Sequence, residues 1–214
     1  MMKLHRCNRK EREKMMKIEI RADSVAIDGY VNAVERDSKV LHNAKGPFVE
    51  KIKAGAFKRA LDRAKRTGYN VKVLLNHDYS RELTSTRDTK TKLYEDNIGL
   101  RCRCEIRDAE IVQKAREGKL SGWSFGFIKI RDEWNEVDQM AHRDVRELEL
   151  KEVSLLDDRK VPAYTGTSVE TREEDDIIEI RSIEDDVETV DNDPPEKANN
   201  YKYHNRILAS GAGL

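Results

Sequence analysis

The segment Leu120 to Ile130, LSGWSFGFIKI, constrains the fold more than any other part of the sequence. Read as a strand, its alternate residues face opposite ways, so Trp123, Phe125 and Phe127 share one large aromatic face that has to be buried. Ser124 then sits on the other face, between Gly122 and Gly126. Glycine weakens a strand and marks places where a ligand or another backbone approaches closely. A hydroxyl held by aromatic packing behind and open in front suits a nucleophile. The plainer alternative is a small serine where two strands cross.

Composition narrows the class. The chain has 214 residues, 38% charged and 37% hydrophobic, enough for one domain with a real core plus a tail. No run of about 18 apolar residues occurs, so no membrane-spanning helix and no membrane partner is expected. The basic N-terminus, MMKLHRCNRKEREKMMK, lacks the apolar stretch of a signal peptide. Residues 1–16 read as a flexible basic arm, and Met15-Met16 offers an alternative start. Cys7, Cys102 and Cys104 fit neither a disulfide framework nor a zinc pattern, which points to a reducing interior with no metal or cofactor. From Glu170 onward there are 13 acidic and 5 basic residues, leaving 36 basic against 28 acidic before it. In that basic body lysines and arginines are interspersed with acids, and no nucleic-acid-binding motif appears, which argues against nucleic acid as a partner.

Taken in order, IEIRADSVAIDGYVNAV predicts two short strands turning at Asp28-Gly29. Residues 35–46 read as loop and Pro47 to Ile52 as extended. Gly55-Ala56-Phe57 opens a helix whose Phe57, Ala60, Leu61 and Ala64 recur at helical spacing until Thr67-Gly68 ends it. Val71 to Leu75 is a strand that delivers Asn76, His77 and Asp78 at its end. A histidine just beyond a buried strand is held rigidly yet can take and return a proton near neutrality, although this stretch by itself favours a plain loop histidine. Residues 80–92 read as a loop. Leu93 to Asp96 and Leu100 to Ile106 form a hairpin with Cys102 and Cys104 as small hydrophobes on one face, and Asp108 starts a short helix closed by Gly118.

After a polar excursion around Trp134, the run RDVRELELKEVSLL (Arg143 to Leu156) is strand-like. Strict alternation puts Leu148, Leu150, Glu152, Ser154 and Leu156 on one face and Glu147 and Glu149 on the other. Glu152 therefore points with the leucines, where an unpaired charge is costly and an imidazole is a candidate partner. The alternative is a strand-end carboxylate that reaches solvent. Val161-Pro162-Ala163-Tyr164 reads as an ordered turn. Beyond it, acidic clusters alternate with Ile177, Ile178, Ile180, Ile183, Val187 and Val190, and 172–214 reads as a disordered acidic tail that is removed or used for targeting.

Ser124, His77 and a carboxylate are the parts of a serine nucleophile, its base and an orienting group. The segments that carry these residues and the segments around them, IDGYVNAVERDSKVL, GPFVEKIKAGAFKRAL, VKVLLNHD, LYEDNIGLRCRCEI, GKLSGWSFGF, RELELKEVSLL and VPAYTGTSVETR, run in order between about Ile18 and Thr171. Together they resemble the prohead maturation proteases of tailed bacteriophages, serine peptidases similar in fold to herpesvirus assemblin. The resemblance implies a mainly β fold with flanking helices and a small closed β-barrel over 17–171. It implies His77, Ser124 and Glu152 as the catalytic residues, with Asp144, Glu147 and His142 as substitutes for the third. It also implies a location inside the immature capsid, in the host cytoplasm. The expected substrates and partners are the major capsid protein with its scaffold segment, other scaffold and the enzyme itself, with self-association or contact with portal and other prohead proteins as further expectations.

Two rival readings differ in class. GWSFG satisfies the G-x-S-x-G elbow of α/β-hydrolases, but that motif needs a strand–turn–helix context and a histidine after the serine. Here Phe127 to Ile130 continue as strand, and the best histidine precedes the serine. The other rival is a non-catalytic capsid-interior scaffold or assembly protein whose acidic tail does the binding.

Overall fold

Alternation of apolar residues builds the first sheet of the computed structural model, which describes residues 16–43, 45–159, 169–173, 176–184 and 187–192. Met16, Ile18 and Ile20 of β1 (Met16–Ile20) and Val25, Ile27 and Val31 of β2 (Val25–Ala33) all point into the core. The turn between them falls at residues 21–24, so Asp28-Gly29 lies inside β2 and not at the predicted hairpin tip. The alternation runs straight through that pair. The Asp28 carboxylate is gripped from the next strand by Arg101, at 2.6 and 3.0 Å, and by Arg103, at 2.7 Å.

The second sheet begins with β3 (Leu41–Asn43) and β4 (Gly46–Ile52). Helix α1 (Ala56–Thr67) follows as predicted and buries Ala56, Phe57 and Ala60. Its first N–H groups find an acceptor in the Glu95 carboxylate, which takes hydrogen bonds from the backbone of Gly55 and Lys58. Strand β5 (Lys72–Leu75) pairs with β6 (Asp78–Ser85), where the sequence had predicted a loop. The strand reads as loop because none of its residues is buried, so it needs few apolar residues. The hairpin of β7 (Lys92–Glu95) and β8 (Gly99–Ile106) and the helix α2 (Ala109–Arg116) lie where the sequence places them. Asp108 caps α2 by accepting from the N–H groups of Glu110 and Ile111.

The centre of the molecule is the hairpin of β9 (Leu120–Val137) and β10 (Met140–Asp157). The polar stretch around Trp134 is thus continuous strand, turned at Asp138-Gln139. Trp123, Phe125 and Phe127 are fully buried, with Phe57 edge-on to Phe125 and Phe125 stacked on Phe127 at 5.3 and 5.5 Å between centroids. Such packing fixes β9 rigidly, because each large ring buries on the order of 150–250 Å².

Three further strands come from the C-terminal region: β11 (Val169–Glu173), β12 (Asp176–Glu184) and β13 (Val187–Asp191). The expected disorder from residue 172 therefore does not hold over 176–184 and 187–191. Averaged composition hides the β-branched alternation there, and each strand satisfies its backbone by joining an existing edge. β12 pairs with β9, and β13 runs parallel to β1. The sheet orders are β13-β1-β2-β8-β7 and β11-β12-β9-β10-β4-β3, with β5 and β6 attached through β10. The fold is mainly β with two helices, but among the described residues neither sheet closes on itself, so the expected closed barrel is not found. Among the described residues, outer strands such as β7 and β3 pair on one side only. The turn expected at Val161 to Tyr164 lies outside the described residues.

β12 is fastened by buried charges. Arg143 donates to Glu50 at 2.9 Å, to Asp132 at 2.8 Å and to Glu179 at 2.8 Å, while Arg181 donates to Glu50 at 2.8 and 2.9 Å. Burial opposes ionisation of Glu179, yet Arg143 and Arg181 hold its carboxyl below the usual range. Arg143→Ala is expected to cost about 3 kcal/mol, because it leaves the buried carboxylates of Glu50 and Glu179 to share the single cation of Arg181, as measured by urea unfolding. The depressed Glu179 contributes stability that is present above the unfolded carboxylate pKa of about 4.3 and lost as pH falls through the lower folded value. The deficit of the variant should accordingly shrink under acid.

Candidate active site

His77 is positioned by a turn of two residues. Leu75 and Asp78 pair across β5 and β6, and the intervening Asn76 and His77 both have positive φ, 56° and 63°. That is the geometry of a type I′ turn, which favours asparagine first and glycine second. Histidine in the second place is strained by about 1 kcal/mol or more, and such strain persists only where neighbours enforce it. Here the Asn76 side chain donates to Asp157 Oδ1 at 2.7 Å and accepts from the Asp157 N–H at 3.2 Å, while the Asn76 N–H donates to Leu155 O. The His77 N–H donates to Ser154 Oγ at 3.0 Å. Asp157 is fully buried; burial works against its charge, but hydrogen bonds from Arg159, Asn76 and Lys114 hold it well below the ordinary carboxylate range.

Glu152 meets the imidazole directly, with Oε1 2.8 Å from His77 Nδ1. Its other oxygen accepts from Ser154 Oγ at 2.6 Å. The parity predicted for Glu152 does not survive. A bulge between Leu150 and Glu152 leaves Leu150 opposite Phe127 on the core face and Glu152 opposite Gly126 on the other. Glu152 is 1% exposed all the same. It is buried by the site and not by the core. A Cβ on Gly126 would lie 2.6 Å from Glu152 Oε1 and 3.2 Å from Ile178, so that glycine makes room for the carboxylate. Gly126→Ala is expected to push Glu152 off His77 and lower turnover by about tenfold or more while the chain still folds. Comparing kcat with the melting temperature checks this.

Ser124 lies on the same face, one strand over, directly opposite Ser154 on β10 and Ser182 on β12. Residues so paired have Cβ atoms about 4.5–5.5 Å apart, which puts Ser124 beside the group that touches both His77 and Glu152. The structure does not join it to the imidazole. Ser124 Oγ donates to Arg181 O at 2.8 Å and accepts from Ser182 Oγ at 3.0 Å. His77 Nε2 is buried without a hydrogen-bond partner among the described residues. Since a carboxylate only accepts, Nδ1 carries the hydrogen facing Glu152, and neutral imidazole then keeps its lone pair on Nε2.

The substitutes for Glu152 lie elsewhere. Asp144 and His142 are roughly 25 Å or more up β10 at the rise of a strand, and Glu147 is paired with Arg63. Asp78 accepts from the N–H and hydroxyl of Ser80, steadying the turn beyond His77. Cys102 and Cys104 are buried in the core, where their mutual hydrogen bond and burial push the Cys102 thiol well up. Among the described residues no group of three or more His, Cys, Asp or Glu is placed to hold a metal. Sequence reasoning missed Asn76, Ser154, Asp157 and Ser182. Asparagine directly after a buried strand was a readable turn signal, and Ser154 at i+2 from Glu152 was a readable neighbour. Nothing local marked Asp157 or Ser182.

A family model described as caudovirus prohead serine protease matches residues 12–179. The chain belongs to the caudovirus prohead serine protease family. No curated protein and no solved structure matches it. The matched span contains every element from β1 to β11 and part of β12, hence the histidine turn, the serine strand and Glu152. As a prohead serine protease the chain is a hydrolase of phage capsid maturation, which implies contact with capsid and prohead proteins inside the prohead. Among its described residues no helix is long and apolar enough to cross a membrane.

Proposed function

We propose that this prohead serine protease is an endopeptidase in which Ser124 is the nucleophile, His77 the general base and Glu152 the group that orients the imidazole. The observation that carries the reading is the 2.8 Å contact between Glu152 Oε1 and His77 Nδ1, with Nε2 unpartnered among the described residues and with Ser154, which His77 also touches, paired directly opposite Ser124. In the reaction the Ser124 hydroxyl turns from Arg181 O to Nε2 and attacks a peptide carbonyl carbon. Its proton passes to Nε2, and the imidazolium is stabilised by Glu152. Collapse of the tetrahedral adduct breaks the C–N bond as Nε2–H protonates the leaving amine, and water repeats the cycle on the acyl-enzyme. Ser154 steadies both partners, since its hydroxyl bridges the His77 N–H and Glu152 Oε2.

The substrates in this reading are the scaffold segment of the major capsid protein, other scaffold and the chain itself, with residues 17–171 as the protease domain. A fold relationship to herpesvirus assemblin belongs to the same reading and is supported by the order of the sequence motifs. Co-assembly of the enzyme with capsid protein, followed by mass spectrometry of new N-termini, tests it. Fragments that appear with the unchanged chain and not with Ser124→Ala support it; identical fragments from both sink it. One observation favours the rival reading of a non-catalytic interior protein: Ser124 is fully buried with its hydroxyl spent on β12. The same experiment separates the two, because a scaffold protein produces no fragments.

A further inference from the structure

The strand that covers Ser124 is β12. It runs antiparallel to β9 from Glu179 opposite Phe127 to Glu184 opposite Gly122, which sets Ser182 across from the serine. A serine hydroxyl has one hydrogen to give, and here Arg181 O takes it at 2.8 Å, so it is not shared with His77 Nε2. Ile178 of the same strand is 2% exposed and reaches over Gly126, the floor between Ser124 and Glu152. The occluding strand is also clamped. On its core-facing side Glu179 and Arg181 engage Arg143 and Glu50 of the body through buried hydrogen bonds. A buried ionic clamp holds less tightly than an apolar one of the same size, because its charges regain water on release. This clasp is suited to opening.

We propose that β12 is an intramolecular inhibitory strand, and that it must lift from β9 before Ser124 can turn to His77 and an extended peptide can occupy the freed strand edge. The inference rests on the peptidase reading above. An exposed strand edge recruits extended peptides through its main-chain groups, so the position β12 holds is one a substrate can use. The pairing of β13 with β1 keeps the strand tethered when it lifts, which makes the block reversible.

The test labels Ser124 in the full chain with a fluorophosphonate, which forms an Oγ–P bond as fluoride leaves and the serine proton passes to His77. Two variants open the strand by different means. Glu179→Ala with Arg181→Ala removes the clamp and leaves Arg143 paired with Glu50 and Asp132, while Ile180→Pro disrupts the strand at the residue paired with Gly126. Each is expected to label roughly tenfold faster or more than the unchanged chain. Near-UV circular dichroism and a cooperative melt identify the variants that fold. Equal rates in a folded variant and the unchanged chain overturn the proposal and leave the peptidase reading standing. No labelling of a folded variant overturns both. Hydrogen exchange on the unchanged chain supplies a reading that needs no variant. Fully labelled protein should lose protection across 178–182, and retained protection there overturns the proposal.

Discussion

Ser124→Ala should leave a folded protein with essentially no peptidase activity. In the proposed mechanism the hydroxyl forms the covalent bond, so its loss removes the acylation pathway and not merely one contribution to it. Members of such triads act as a unit, and losing the nucleophile typically lowers turnover on the order of 10⁶-fold, leaving only what binding and oxyanion stabilisation supply. The structural cost should be small. Ser124 is buried, but its partners are a carbonyl on β12, which keeps its ladder, and Ser182, which has solvent nearby. Fragment release followed over days against a melting curve checks both halves. Activity within a hundredfold of the unchanged chain would show that another residue attacks the peptide.

Glu152→Gln should be the next most damaging change, at about 10⁴-fold in kcat. The amide fits the same space beside Gly126 and can still bond Ser154. What it alters is the proton on the imidazole. A carboxylate forces the hydrogen onto His77 Nδ1, whereas a glutamine NH₂ turned toward the ring donates to Nδ1 and moves the hydrogen to Nε2. With Nε2 already protonated, the base cannot accept from Ser124. KM should change little, since Glu152 touches no substrate in this mechanism. A loss confined to KM, or one smaller than about tenfold in kcat, would place the essential carboxylate elsewhere.

The parts of the site that the sequence revealed were those set by short-range alternation. Trp123, Phe125 and Phe127 fix which way Ser124 faces, because β9 carries no extra residue between Gly122 and Phe127 that would break period two. Glu152 was singled out for a wrong geometric reason. Alternation placed it with Leu148 and Leu150, but the bulge at Lys151 inserts a residue and reverses the facing of everything after it. A bulge leaves no dependable trace in apolar pattern, since Val153 and Leu155 keep the next stretch equally hydrophobic. The lid over Ser124 was invisible for a different reason. β12 looks like tail when its acids are counted, and it becomes strand only because Arg143 and Glu50, far away in sequence, supply the countercharges. Both helix starts, by contrast, were legible, but a capping group was legible only where it was local. Asp108 was readable in the sequence, while Glu95, which serves α1 from another strand, was not.

The C-terminal strands stitch the two sheets together, β12 in one and β13 in the other, with residues 185 and 186 between them. Scission of that short connector would unpick the seam. Ile18 and its neighbours in β1 would lose a parallel partner on one side, and the edge of β9 would be bared on the other. Such a cut would leave a form that is more open and less durable, so access to the serine strand and loss of stability would follow from the same event.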